Sequence, residues 1–152
     1  MAQFVINEWL WADLSGSNGV AKQKETFAFL KRFAGSPHQC VIIANTAFDQ
    51  KAWALCSSND PIVLETGKLF VLQVRQNSDR CLILDPTTVE ALPVEFAREV
   101  KEDDHYLVHA QLGVPGAILV TTDGPLRESV HRHNLPCLSR EEFLVKYFGT
   151  QQ

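Results

Sequence analysis

No apolar run in the chain reaches the roughly 20 residues that a helix needs to cross a bilayer, so no membrane partner is expected. Nor is there an excess of basic residues. Fourteen Lys and Arg stand against 18 Asp and Glu, a net charge of −4, so nothing pulls the chain as a whole toward nucleic acid. A nuclease built on it would need a local basic patch. The opening stretch MAQFVINEWLW lacks a basic segment and carries Glu8, so it does not read as a signal peptide. Cys40, Cys56, Cys81 and Cys137 make no C-x-x-C pair, and three of them sit beside strand-like apolar residues. Reduced, buried thiols in a cytoplasmic protein are expected. The glycine-containing stretch LSGSNGV, from Leu14 to Val20, lacks the Gly-Lys-Ser/Thr ending of a phosphate-binding loop. No G-x-G-x-x-G follows a strand, and no G-x-S-x-G elbow occurs. NEWL, after the first strand-like run, does not supply the closely paired acids of an aspartyl-phosphate phosphatase. Internal repeats and low-complexity segments are also missing.

What is present is an alternation of short apolar runs and helical periodicities across 152 residues, 45% of them apolar, enough for one domain spanning 1–152 with a sizeable core. Phe4 to Ile6, Cys40 to Ala44, Cys81 to Leu84, Ala117 to Val120 and Cys137-Leu138 read as short buried strands. Ala21 to Ala34 has a helical pattern, with Phe27, Leu30 and Ala34 at spacings of three and four and Phe29 and Phe33 alongside. These aromatics read as core, and Lys22, Lys24, Lys31 and Arg32 as a solvated face. Phe48 to Cys56 predicts a short helix, followed by a loop from Ser57 to Pro61. Ile62 to Gln76 mixes apolar runs with Gly67, so helix and strand both remain open. Val89 to Glu102 predicts a short helix with Pro93 near its start, and Pro125 to His133 another. Ser139 and Glu142 form a capping box for a last helix whose apolar face is Phe143, Leu144, Tyr147 and Phe148. Strands alternating with helices imply a parallel sheet covered on both faces.

The most informative stretch is DDHYLVHAQLGVPGAILVTTD, from Asp103 to Asp123. Asp103 is placed to cap a helix and Asp104 to sit in its first turn. Leu107, Ala110 and Val114 mark its buried face, with Leu112 on the flank; Gly113 and Gly116 end it. A strand follows, and Asp123 falls just past its carboxyl end, where ligand sites form in open α/β sheets. Asp85 stands in the same relation to the third strand. Separated carboxylates converging at a sheet edge suit a hard divalent cation such as Mg²⁺ or Mn²⁺. Taken singly, each acid is equally an ordinary cap or turn residue. His105 and His109 have a spacing that can bind zinc, and His131-x-His133 lies nearby, but Tyr106 stands where H-E-x-x-H needs Glu.

This stretch, with Thr121-Thr122-Asp123 as its ending and Asp104 as its helix-opening acid, resembles the C-terminal half of a PIN domain. An acid after the first strand is the other half of that pattern. Here Asn7 and Glu8 occupy the position, and Glu8 is the candidate because Asn brings no charge. The resemblance implies a three-layer α/β/α domain with a central parallel sheet, and it favours a helix for Ile62 to Gln76, with Glu65 as a weak match to a mid-chain acid. It further implies a metal-dependent ribonuclease, often of the toxin type. Glu8, Asp104 and Asp123 would be the catalytic acids and would hold Mg²⁺ or Mn²⁺, with Asp103 and Asp13 as further candidate ligands. RNA is then the expected substrate. A small antitoxin-like protein and a second copy of the chain are the other partners such a protein would have. The alternative is a PIN-like module that binds or interacts without catalysis, which Asn7 and the net acidity favour.

Overall fold

A computed structural model of the chain describes residues 1–149; residues 150–152 of the predicted domain lie outside it. Five strands, β1 (Gln3–Ile6), β2 (Gln39–Ile43), β3 (Cys81–Leu84), β4 (Ile118–Val120) and β5 (Cys137–Leu138), form one sheet in the order β3-β2-β1-β4-β5. Every pairing is parallel. The helices are α1 (Trp9–Leu14), α2 (Val20–Ala34), α3 (Ala47–Leu55), α4 (Pro61–Phe70), α5 (Val94–Glu99), α6 (His105–Gly113), α7 (Gly124–Arg132) and α8 (Arg140–Phe148). The result is the three-layer α/β/α arrangement that the alternation implies.

The strands are continuously apolar because both faces are covered. Their side chains alternate between two cores, as the period of two requires. Phe4, Ile6, Cys40 and Ile42 join the core under α1 to α4 and α8. Val5, Val41, Ile43 and Leu119 join the one under α5 to α7. The first core is rich in aromatics: Phe143 meets Phe4 at 4.8 Å and Phe29 at 5.3 Å between ring centroids, edge to face, the arrangement that ring quadrupoles favour. The capping box forms as the sequence predicts, with Ser139 Oγ accepting from the Glu142 N–H and Glu142 Oε1 accepting from the Ser139 N–H.

Several local expectations need correction. The buried stripe of α2 is Thr26, Phe29, Leu30 and Phe33; Phe27 is only half-buried and carries Lys31 over its ring. On α6, Val108 and Gln111 are buried and Leu112 is exposed. Gln111 is buried because its Nε2 donates to the carbonyls of Ala117 and Pro136, tying the helix to the two strands beyond it. Asp103 is not the cap of α6. Residues Glu102–Asp104 form a 3₁₀ turn, and Asp104 takes the N-cap position. The ambiguous stretch is helical throughout: α4 continues into a π-helical turn over Val71–Arg75. Asp60 caps it through the Ile62 N–H, and Pro61 opens it, where its missing N–H costs nothing. Gly67 belongs inside this helix because α3 crosses there. A Cβ at Gly67 would lie 2.8 Å from the Leu55 carbonyl carbon, so only glycine lets the two helices approach.

Among the described residues no helix is long and apolar enough to cross a membrane. All four cysteines are free; Cys40, Cys81 and Cys137 are buried, and Cys56 is partly so.

Candidate functional site

The strand order reverses direction beside β1: the chain passes from β1 to β2 on one side and returns to β4 on the other. The carboxyl ends of β1 and β4 therefore stand side by side, with Ile6 opposite Val120. Such a switch point is where open α/β sheets form a crevice. Here it is a cleft of about 1070 Å³. Asn7 and Glu8 enter it from the end of β1, and Thr122 and Asp123 from the end of β4. Asp104 enters from the start of α6, Lys51 from α3, and Trp11 and Asn18 from α1 and the loop after it.

A short network holds the two strand ends together. Asn7 Nδ2 donates to Thr121 Oγ1 at 2.9 Å, and the same oxygen accepts from the Asp123 N–H at 3.1 Å. Asn7 Oδ1 accepts from the Glu8 N–H. Asn7 is thus a structural tie between β1 and β4, its amide donating to the Thr121 hydroxyl that also accepts from the Asp123 N–H.

The three acids singled out from the sequence, Glu8, Asp104 and Asp123, all line this one cleft. Their side chains are held differently. Asp123 is the N-cap of α7, and its Oδ1 accepts from the Leu126 N–H at 3.1 Å. Its other oxygen makes no hydrogen bond to any described residue. Glu8 is engaged at both oxygens: Lys51 Nζ bonds to Oε1, and the Tyr106 hydroxyl donates to Oε2 at 3.2 Å. Burial and the Glu8 carboxylate push the Tyr106 phenol well up, so it stays protonated and remains a donor. Asp104 also occupies an N-cap position, but its backbone there is helical, and its carboxylate makes no cap bond and accepts no hydrogen bond from the described residues. Burial and the neighbouring carboxylates of Asp123, Asp103 and Glu8 hold its carboxyl above the usual range, against a smaller opposing pull from Lys101.

The remaining candidates lie elsewhere. Asp13 is fully buried and bound at both oxygens: Asn18 Nδ2 and Thr26 Oγ1 donate to it at 2.8 Å, and Arg140 Nε at 2.7 Å. It is the centre of an ion pair that pins α1 and α2 to α8, with both oxygens engaged by protein donors. Asp103 is exposed and outside the cleft lining. Asp85 caps the 3₁₀ turn after β3 through the Thr87 N–H, and Glu65 is exposed on α4; neither reaches the cleft. The histidines are tied to backbone: His105 Nε2 donates to the Ala97 and Val100 carbonyls, His109 Nδ1 to Glu90, and His131 Nε2 to Cys137. His133 stacks on Phe96. No zinc site is assembled from them.

Lys51, Tyr106 and Asp60 are cleft or cleft-flanking residues that the sequence reading passed over. Asp60 had a signal, since Asp followed by Pro before an apolar run is a helix start. Lys51 had none, because its partner Glu8 is 43 residues away in the chain.

Among the described residues no three His, Cys, Asp or Glu side chains are grouped so as to hold a metal ion on their own. Mg²⁺ is commonly bound by one or two carboxylates with water and substrate oxygens completing the octahedron. Asp104 and the free oxygen of Asp123 fit that requirement. No protein-family model matches the chain, and neither a curated protein nor a solved structure matches it.

Proposed function

We propose that the chain is a divalent-metal-dependent ribonuclease working at Asp104 and Asp123, the function that its resemblance to PIN domains implies. The observation that carries this reading is the state of Asp104. A carboxylate at a helix N-cap ordinarily accepts an N–H of its own first turn. Asp104, whose own backbone is helical after the 3₁₀ turn, makes no such bond; its carboxylate lines the cleft with Glu8 and Asp123, where burial and then the Asp123 charge raise its carboxyl, an arrangement that costs stability in the absence of a cation. Sites that accept such a cost are more often functional than structural.

The roles of the chain's own residues follow from their contacts. Asp123 is oriented by the Leu126 N–H, which fixes one oxygen and leaves the other toward the cleft. Asp104 supplies an unencumbered carboxylate opposite it. Thr121 and Asn7 keep the two strand ends at a fixed separation. Glu8 is aimed by Tyr106. Mg²⁺ or Mn²⁺, held by Asp104 and Asp123 with Glu8 within the same cleft, would polarise a phosphoryl oxygen and lower the pKa of a bound water for in-line attack. Without the cation, these acids repel the phosphate backbone, so activity in chelator is expected to be negligible.

One observation favours the second reading, a PIN-like binding module. Glu8 is already satisfied by Lys51 and Tyr106, which leaves two carboxylates rather than three for a cation. Such a module would take RNA, or a protein partner such as a small antitoxin-like chain, without cutting. The two are separated by incubating the purified protein with single-stranded and structured RNAs in Mg²⁺ or Mn²⁺. Cleavage that chelator abolishes and Asp104→Asn removes is the expected result. A folded protein that binds the ion and leaves every RNA intact supports the module.

A further inference from the structure

We infer that the side of the cleft lined by Trp11 is a nucleobase pocket, in which the indole N–H of Trp11 donates to a ring acceptor of the base. The choice of a base as the ligand rests on the ribonuclease reading above. The pocket itself needs neither a metal ion nor catalysis.

The cleft, at about 1070 Å³, has more room than an ion and a phosphate need and is large enough for a nucleotide. The strand ends and the start of α6 build one side of it. The other side comes from α1, the end of α3 and the start of α4, and includes Trp11, Asn18, Leu55, Ser58, Asp60 and Val63. Trp11 is the unusual member. It is only 4% exposed, and its ring lies 4.7 Å from those of Phe48 and Phe70. Its Nε1 is buried, yet it donates to no described residue. Trp9, on the same helix, shows the ordinary arrangement, with its Nε1 donating to the Val120 carbonyl at 3.1 Å. A buried donor without an acceptor costs the desolvation of that group, and such groups are rare in folded proteins. The described interior offers Trp11 no acceptor, so the cleft that its ring lines is the side from which one can come. The neighbouring groups match the edge of a base. Asp60 Oδ1 accepts from the Ile62 and Val63 N–H groups, and its Oδ2 accepts from none of the described residues. Asn18 gives its Nδ2 to Asp13, which leaves its carbonyl oxygen as an acceptor. The Ser58 hydroxyl accepts from the Asp60 N–H and keeps its own hydrogen to give. Leu55 and Val63 add apolar surface for a flat ring. A base carries ring acceptors, N–H or amino donors and two apolar faces, so it uses every one of these groups. A metal ion has no use for an N–H, and a phosphate has none for a carboxylate.

Proton–nitrogen NMR of the full chain in chelator tests this. Trp9, Trp11 and Trp53 are the only tryptophans and give three indole signals, which Trp11→Phe and Trp53→Phe assign. At least one of adenosine, cytidine and uridine is expected to move the Trp11 indole signal saturably and leave that of Trp9 in place. Ribose phosphate, which has no base, is expected to move neither. Trp11→Phe keeps an aromatic ring and removes the N–H, and calorimetry should show nucleoside binding weakened about two- to tenfold, the worth of one hydrogen bond. Asp60→Asn keeps the cap of α4 and turns the open acceptor into a donor, so it should weaken binding by a similar factor, and it serves where Trp11→Phe does not fold. A Trp11 signal that ignores all three nucleosides, a shift that ribose phosphate reproduces, or folded variants of which neither binds more weakly overturns the inference. RNA cleavage in Mg²⁺ by a protein whose Trp11 signal ignores nucleosides refutes the base pocket alone. Nucleoside binding at Trp11 by a protein that cuts no RNA supports the pocket and refutes the nuclease.

Discussion

Asp123 has two jobs that a single pair of substitutions can separate. Its Oδ1 caps α7 through the Leu126 N–H, and its charge stands among those that raise the Asp104 carboxyl. Asp123→Ala removes both. Loss of an N-cap costs roughly 0.5–2 kcal/mol, and for a domain of this length each kcal/mol moves the Tm by about 2–4 °C. A fall of about 3 °C is the central expectation for the metal-free protein. Asp123→Asn keeps a capping oxygen, since Asn and Asp rank together at this position, and it deletes the charge. Relief of repulsion with Asp104 then acts alone, so the Tm in chelator stays level or rises. In Mg²⁺ the order changes. An ion present at a hundred times its Kd stabilises the native state by about 2.7 kcal/mol, a Tm rise of about 5–10 °C in wild type. Both variants are expected to lose most of that rise. Differential scanning calorimetry with and without chelator supplies all the comparisons. If Asp123→Asn in chelator falls as far as Asp123→Ala, the charge is itself structural, and the assignment of Asp123 to the cation is wrong.

Three further expectations follow from the same contacts. Asp13→Ala takes from Arg140 its one buried carboxylate partner, leaving the exposed Glu25 and Glu141, and is expected to cost about 1–3 kcal/mol while leaving the Mg²⁺-induced rise in Tm intact, so a variant that melts near wild type but loses the rise would return Asp13 to the metal site. Because the folded-state pKa of Asp104 is raised, the native protein binds more protons than the unfolded chain between the ordinary carboxylate value and that raised value, and stability declines as pH rises through this window. Asp104→Asn in chelator should therefore match wild type in acid and exceed it at neutral pH, and a variant less stable than wild type at neutral pH contradicts the sign. Gly67→Ala forces α3 and α4 apart at Leu55 and is expected to cost about 1–3 kcal/mol, measured by urea unfolding.

The parallel sheet was legible because each strand is a short, continuously apolar run bounded by turn residues, and the capping box of α8 because its four residues are contiguous. The helix over α4 was not legible from periodicity alone. Its Gly67 mimics a strand break, and the reason for that glycine is the crossing of α3, a long-range fact. The candidate site was legible to the extent that it lies at strand ends: Glu8 and Asp123 follow β1 and β4 directly, and the switch point brings them together. Asp13 and Asp104 show the limit. Both are aspartates near helix starts, and no local signal says that one is wholly buried against Arg140 while the other has no partner among the described residues. Lys51 shows the same limit from the other side. A lysine on an exposed helix face reads as solvated until the fold brings Glu8 to it. Asn7, read from the sequence as a missing acid, proves to be the amide that joins β1 to Thr121.

The most direct measurement of the central claim is an anomalous difference map from crystals of the protein grown in Mn²⁺. The account predicts a peak in the cleft at bonding distance from a carboxylate oxygen of Asp104 and from the oxygen of Asp123 that does not cap α7. A map with no peak there and manganese bound only at other acids would contradict it.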